Sequence, residues 1–208
     1  MGRPRESSDD QILSAARRCF FERGISVSAN EIAKELGVSH TTLFNRFESK
    51  EGLMIAALSP PQEVPWVAAL NDGPDQRDIR DQLVAHAQVM SVYFRELQQG
   101  LSLLQAAGID PGRVHEKPKS KDSPPYQAYR AFVGWLERAR DQGRISSCDV
   151  ETVASTILGS LQGFALTARV CEQATCAEDY VTRLVDLLWN GISKGSSGPN
   201  PSLQKHKP

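Results

Sequence analysis

The stretch SANEIAKELGVSHTTLFNRF, residues 28–47, decides the fold. Ser28 and Glu31 have the spacing of a capping box, in which each side chain satisfies the other residue's orphan amide. The short helix that follows turns Ile32, Ala33 and Leu36 to one side. Gly37 then supplies the left-handed backbone that a tight turn between helices needs. Val38 plugs the turn, Ser39 can cap a second short helix, and Leu43 and Phe47 return apolar side chains to the same core. Two short helices joined this way form a helix-turn-helix, whose second helix can enter a major groove with its N-terminal residues at the base edges. The same pattern also suits an ordinary αα-corner inside a helical protein.

The flanks extend the helical reading. Upstream, Ser8 and Gln11 form a second capping box, and Ile12, Ala15, Ala16, Cys19 and Phe20 share one face of a helix that Gly24 ends. Downstream, Ser49 can cap a fourth helix with Leu53, Met54 and Ala57 inward, interrupted at Ser59-Pro60-Pro61. Residues 62–74 hold two prolines, a glycine and little periodicity and are expected to be irregular. A long helical stretch is expected from about residue 75 to 107, with a break near Gly100. Residues 111–123 read as a polar loop, and Pro124 opens a helix carrying Tyr129, Phe132, Val133, Leu136 and Ala139. Asp149 caps the next helix, Thr175 with Glu178 forms a third capping box, and a final helix carries Val181, Leu184, Val185, Leu188 and Trp189. The tail from Lys194 has few apolar residues. Strand-like alternation is nearly absent, so the expected class is all-α.

Composition narrows the options. The chain has 208 residues, 40% hydrophobic and 24% charged, with a net charge of −1. Such a balance argues against a basic coat that grips any polyanion, but not against a small local DNA-reading face. Residues 1–50 carry eight Lys and Arg against seven Asp and Glu, and two of those cations sit in the arm Gly2-Arg3-Pro4-Arg5. Two arginines on a stiff extended segment suit the negative potential of a narrow minor groove. No apolar run is long enough to span a bilayer and the first ten residues lack a signal-peptide core, so a soluble cytoplasmic protein without membrane partner is expected. The four cysteines form no CxxC pair and are expected to act as small hydrophobes. No phosphate loop, HExxH, nucleophile elbow or clustered His with carboxylates is present, so neither an enzyme nor a cofactor or metal is expected.

Residues 8–58 resemble the DNA-binding domain of the tetracycline-repressor (TetR) family. The residues that carry the likeness are Phe21 with Gly24, Ile32-Ala33, Gly37-Val38-Ser39, Leu43-Phe44, Phe47 and Lys50-Glu51-Gly52-Leu53. The resemblance implies a three-helix helix-turn-helix domain followed by a larger helical regulatory and dimerisation domain. It divides the chain into a basic arm (1–7), the DNA-binding domain (8–58), a ligand-binding and dimerisation domain (59–193) and a tail (194–208). It implies that Arg3 and Arg5 enter a minor groove and that Ser28 and Lys50 meet phosphates. Ser39, His40, Thr41 and Thr42 would reach backbone or base edges, with Asn45 and Arg46 one turn further on. Arg46 suits either a guanine or a phosphate. A tyrosine is frequent in the family where Phe44 stands, so a hydroxyl contact to phosphate is absent here and packing remains.

For the C-terminal half the resemblance implies a transcriptional regulator that binds a palindromic double-stranded DNA operator as a homodimer, released by an unidentified, largely apolar small-molecule ligand. Repression is the expected sign. The dimer helices would be residues 149–171 and 177–193, with Gly159, Ser160 and Gly163 allowing close approach. Ligand candidates are Tyr93, Phe94, Leu97, Leu101, Tyr129, Phe132, Trp135 and Leu158, with His86, Arg95 or Gln162 for orientation; each also suits plain core or surface. A helical adaptor without DNA readout is the alternative function.

Overall fold

A computed structural model describes residues 8–60, 64–110, 123–167 and 177–192. The arginine arm, Thr175, Cys171, Cys176 and the tail lie outside these residues. The described residues form nine α-helices and no strand. They are α1 (Asp9–Arg23), α2 (Ala29–Leu36), α3 (His40–Phe47), α4 (Lys50–Leu58), α5 (Val67–Asn71), α6 (Ile79–Ala106), α7 (Pro124–Asp141), α8 (Val150–Thr167) and α9 (Ala177–Ile192). The all-α class is as expected. Among the described residues no helix is long and apolar enough to cross a membrane.

The chain separates into two compact units. The first holds residues 1–62 and 93–123, the second residues 63–92 and 124–208. Residues 93–106 of α6 therefore count with the first unit although they lie far along the chain from the helix-turn-helix.

In the first unit, hydroxyls start the helices as the spacing predicts. The amides of Gln11, Glu31, Thr42 and Gly52 donate to the side chains of Ser8, Ser28, Ser39 and Ser49 at 3.3, 3.2, 3.1 and 2.9 Å. The two capping boxes are complete, since Gln11 and Glu31 accept from the amides of Ser8 and Ser28 in return. The Ser28 hydroxyl and amide both bind the Glu31 carboxylate and hold its pKa below the ordinary value. Gly37 adopts φ 67°, and the Val38 amide reaches back to the Ala33 carbonyl at 3.0 Å, which closes the turn. The core contains Ile12, Ala16, Cys19, Phe20, Val27, Ile32, Ala33, Leu43, Leu53, Met54, Ala57 and Leu58, joined by Leu104 and Ile109.

Long-range polar contacts lock this unit. Arg17 on α1 donates to the Ala57 carbonyl at 2.7 Å and the Ser59 carbonyl at 2.8 Å, satisfying orphan acceptors at the end of α4. Cys19 is buried and its Sγ donates to Glu35 Oε2 at 3.2 Å. Burial, then that carboxylate, push the thiol pKa up. Cys19 Sγ also accepts from Arg23 Nη2 at 3.1 Å, so Cys19 is a small core residue with two polar contacts.

Gly100 corrects an expectation. It does not break the helix: α6 runs unbroken through it. A Cβ at Gly100 would stand 2.7 Å from the Leu58 carbonyl oxygen, so the glycine serves close approach to the end of α4. Gly100→Ala is expected to destabilise the protein by about 1–3 kcal/mol, the usual cost of overpacking. A chemical denaturation curve measures it, and an unchanged midpoint would refute the packing role.

In the second unit, the described part of the 62–74 stretch, residues 64–74, is less irregular than expected, because α5 forms there with Leu70 fully buried. The start of α6 falls at Ile79 rather than residue 75. Asp78 accepts from the Asp81 amide at 3.1 Å, while Asp75 accepts from the Arg77 amide and side chain. Gln82, 2% exposed, bonds to the amide and carbonyl of Asp75 and to the Arg77 carbonyl, so this buried amide is well satisfied. Asp149 caps α8 through the Glu151 and Thr152 amides.

His86 packs edge-on against Trp135, ring centroids 5.1 Å apart. Burial, then the nearby Arg77 charge, lower its pKa from 6.5, with Asp75 opposing. The unfolded chain therefore takes up this proton at a higher pH than the folded one. Stability from the neutral ring is present above about pH 6.5 and is lost as pH falls below it. His86→Gln is expected to flatten the fall in thermal midpoint between about pH 7 and pH 5. Equal pH slopes for the two proteins would exclude His86 as the source.

Candidate nucleic-acid interface

Helix α3 is amphipathic across its short length. Leu43 is 2% exposed and Phe47 half-buried, while His40, Thr41, Phe44 and Asn45 are exposed. The Ser39 cap fixes where the helix begins, and the Ser39 and Thr42 hydroxyls lie 2.8 Å apart. The resulting outward surface is polar at its N-terminal end, the end that meets base edges in a helix-turn-helix. His40 lies against Phe44 one turn later, ring centroids 4.2 Å apart and ring planes tilted by 35°.

The remaining DNA-contact candidates are placed as follows. Ser28 caps α2, and its hydroxyl also donates to Glu31 Oε2 at 2.6 Å. Lys50 begins α4, and its Nζ donates to the Ile25 carbonyl at 2.6 Å. That bond ties α4 to the turn after α1, a structural role the sequence does not reveal. Arg46 donates from Nη1 to Asp9 Oδ1 at 3.0 Å. Thr42 is half-buried beside the cap. Arg3 and Arg5 lie outside the described residues.

The ligand candidates divide between the units. Tyr93, Phe94, Leu97 and Leu101 belong to the first and are half-buried. Arg95, beside them, is exposed. Burial raises the Tyr93 pKa. Tyr129, Phe132, Trp135, Leu158 and Gln162 belong to the second. Phe132 and Trp135 are fully buried, Tyr129 and Leu158 half-buried, and Gln162 exposed. Trp135 Nε1 is buried without a hydrogen-bond partner among the described residues.

The first unit thus contains a helix-turn-helix, α2 and α3 joined at Gly37. Residues 12–57 match the family model for bacterial regulatory proteins of the tetR family. An HTH-type transcriptional regulator of Mycobacterium tuberculosis is 46% identical over 52 residues, which cover 24% of this chain and 26% of that protein. The match therefore spans about a quarter of that relative's length. TetR transcriptional regulator SCO0520 from Streptomyces coelicolor has a similar structure, with 25% identity and a TM-score of 0.57, covering 91% of this chain and all of that one. SmeT, the repressor of the Stenotrophomonas maltophilia multidrug efflux pump SmeDEF, shares the fold at 17% identity and a TM-score of 0.58, covering 99% of this chain and 100% of that one. The family match thus covers residues 12–57, and the chain as a whole shares the helical fold of these solved regulators.

Proposed function

We infer that the protein is a cytoplasmic transcriptional regulator that reads a palindromic operator as a homodimer and is released by a small-molecule ligand. The observation that carries this reading is the exposed N-terminal half of α3, fixed by the Ser39 cap and the Gly37 turn. Ser39, His40, Thr41, Thr42, Phe44, Asn45 and Arg46 are the groups assigned to the groove, with Ser28 and Lys50 at the flanking phosphates. Arg3 and Arg5 are assigned to the minor groove. Residues 8–58 are the DNA-binding part and 59–193 the regulatory part, although segment 93–123 clusters with the former.

One recognition helix buries too little for useful specificity, so pairing is required. Its support is an unpartnered face on α8 and α9. Gly159, Gln162, Gly163 and Leu166 form one exposed stripe at helical spacing, and a Cβ at either glycine would meet nothing within 4 Å among the described residues. Leu166 is 61% exposed and Leu187 on α9 is 75% exposed. Leu187→Glu is expected to convert a dimer to a monomer in sedimentation equilibrium. A dimer that survives it would place the interface elsewhere.

The ligand reading rests on the aromatic candidates, with the Trp135 indole N–H, which has no partner among the described residues, as a donor a ligand could satisfy. Release works as a population shift: the ligand favours a conformer with wrongly spaced recognition helices, with α4 as the lever. A 100-fold loss of DNA affinity needs only about 2.7 kcal/mol of coupling. Selection of bound sequences from random duplexes at low salt tests the function. An enriched inverted repeat is expected, and complete indifference to every duplex would overturn the regulator.

A further inference from the structure

The first turn of α1 is acidic, with Asp9 and Asp10, and Asp9 touches α3. That placement is costly for a face that must approach phosphates, because a carboxylate there repels them. Asp9 is two-thirds exposed and so keeps most of its hydration, whereas the Arg46 side chain is 29% exposed and lies against the protein. The helix N-terminus accounts for an acidic residue at this position. It does not account for the 3.0 Å bond to the only arginine on α3, across 37 positions of sequence.

We propose that Asp9 is a positioning residue that fixes the Arg46 guanidinium for base reading and withholds it from phosphates. The inference rests on α3 being the recognition helix and names what governs its selectivity. An arginine without a fixed carboxylate follows any phosphate and adds affinity for every sequence. A guanidinium carrying an internal counter-ion gains less from a phosphate, since that charge is already compensated. The bond through Nη1 also restrains its planar fork, and orientation is what bidentate contact to guanine O6 and N7 requires. Asp9 thus lowers general affinity and raises discrimination.

The test compares the full-length wild type, Asp9→Asn, Arg46→Ala and the double variant on a duplex selected by the wild type and on an unrelated duplex. Binding is measured over a salt series. Asp9→Asn is near-isosteric and removes only the charge. It is expected to bind the unrelated duplex about three- to tenfold more tightly and to steepen the salt dependence by about one unit per protomer. Its preference for the selected duplex should fall about tenfold. In the Arg46→Ala background the same change should leave preference and salt slope unaltered. A purely helix-capping Asp9 would move the melting temperature but not the salt slope.

Wild-type preference and slope in Asp9→Asn would overturn the proposal alone, leaving the regulator intact. So would an undiminished effect without Arg46, which would make Asp9 a simple repulsive charge. A wild type that selects no duplex would overturn the regulator reading, and this proposal with it.

Discussion

Thr41→Glu combined with Asn45→Glu is expected to abolish measurable binding to the selected duplex, a loss of at least about 100-fold. The two residues are exposed and one turn apart on the same face of α3. Two carboxylates there would meet the negative potential of the groove and adjacent phosphates, and like-charge juxtaposition costs several kcal/mol. The fold should tolerate the change. Both sites are exposed, glutamate is a good helix former, and residue 41 lies near the helix N-terminus where an acidic group is favourable. Fluorescence anisotropy measures the binding and circular dichroism the fold. A folded double variant with unchanged affinity would remove α3 from the interface. This pair tests α3 more cleanly than Lys50→Ala, which would also break the bond to the Ile25 carbonyl.

Phe20→Ala should cost about 3–5 kcal/mol, a large part of a typical domain's stability. Phe20 is fully buried in the core of the first unit, with residues of α1, α2, α3 and α4. Truncation removes the transfer free energy of the ring and leaves a cavity the short helices fill poorly. DNA binding would fail because α3 loses its support, not because a contact is lost. Hydrogen exchange separates the two causes: amide protection over residues 9–58 should fall in Phe20→Ala and persist in the double glutamate variant. Full protection in Phe20→Ala would contradict the assigned core.

Local signals were legible and distant ones were not. The serine caps, the Gly37 turn and the buried face of α1 follow from residues within four positions of one another. Every member of that face, Ile12, Ala15, Ala16, Cys19 and Phe20, is buried. Gly100 misled because a glycine in a helical pattern reads as a breaker, and only the neighbouring Leu58 carbonyl reveals the packing reason. Helix α5 was missed because it spans five residues amid proline and glycine, too short for periodicity to register. Arg17 on the end of α4 and Asp9 on Arg46 join residues 40 and 37 positions apart, and no spacing rule brings such pairs together. The base-facing set came from family likeness together with helix spacing, since charge and exposure cannot be read from spacing alone.

In the proposed complex, α3 enters a major groove in each of two half-sites. Methylation of guanine N7 places a methyl group on the major-groove edge, and interference on the selected duplex reports where that edge is needed. N7 methylation is expected to block binding at two symmetric positions whose half-site centres are about one helical turn apart. Binding that tolerates N7 methylation at every guanine of the selected site would contradict it.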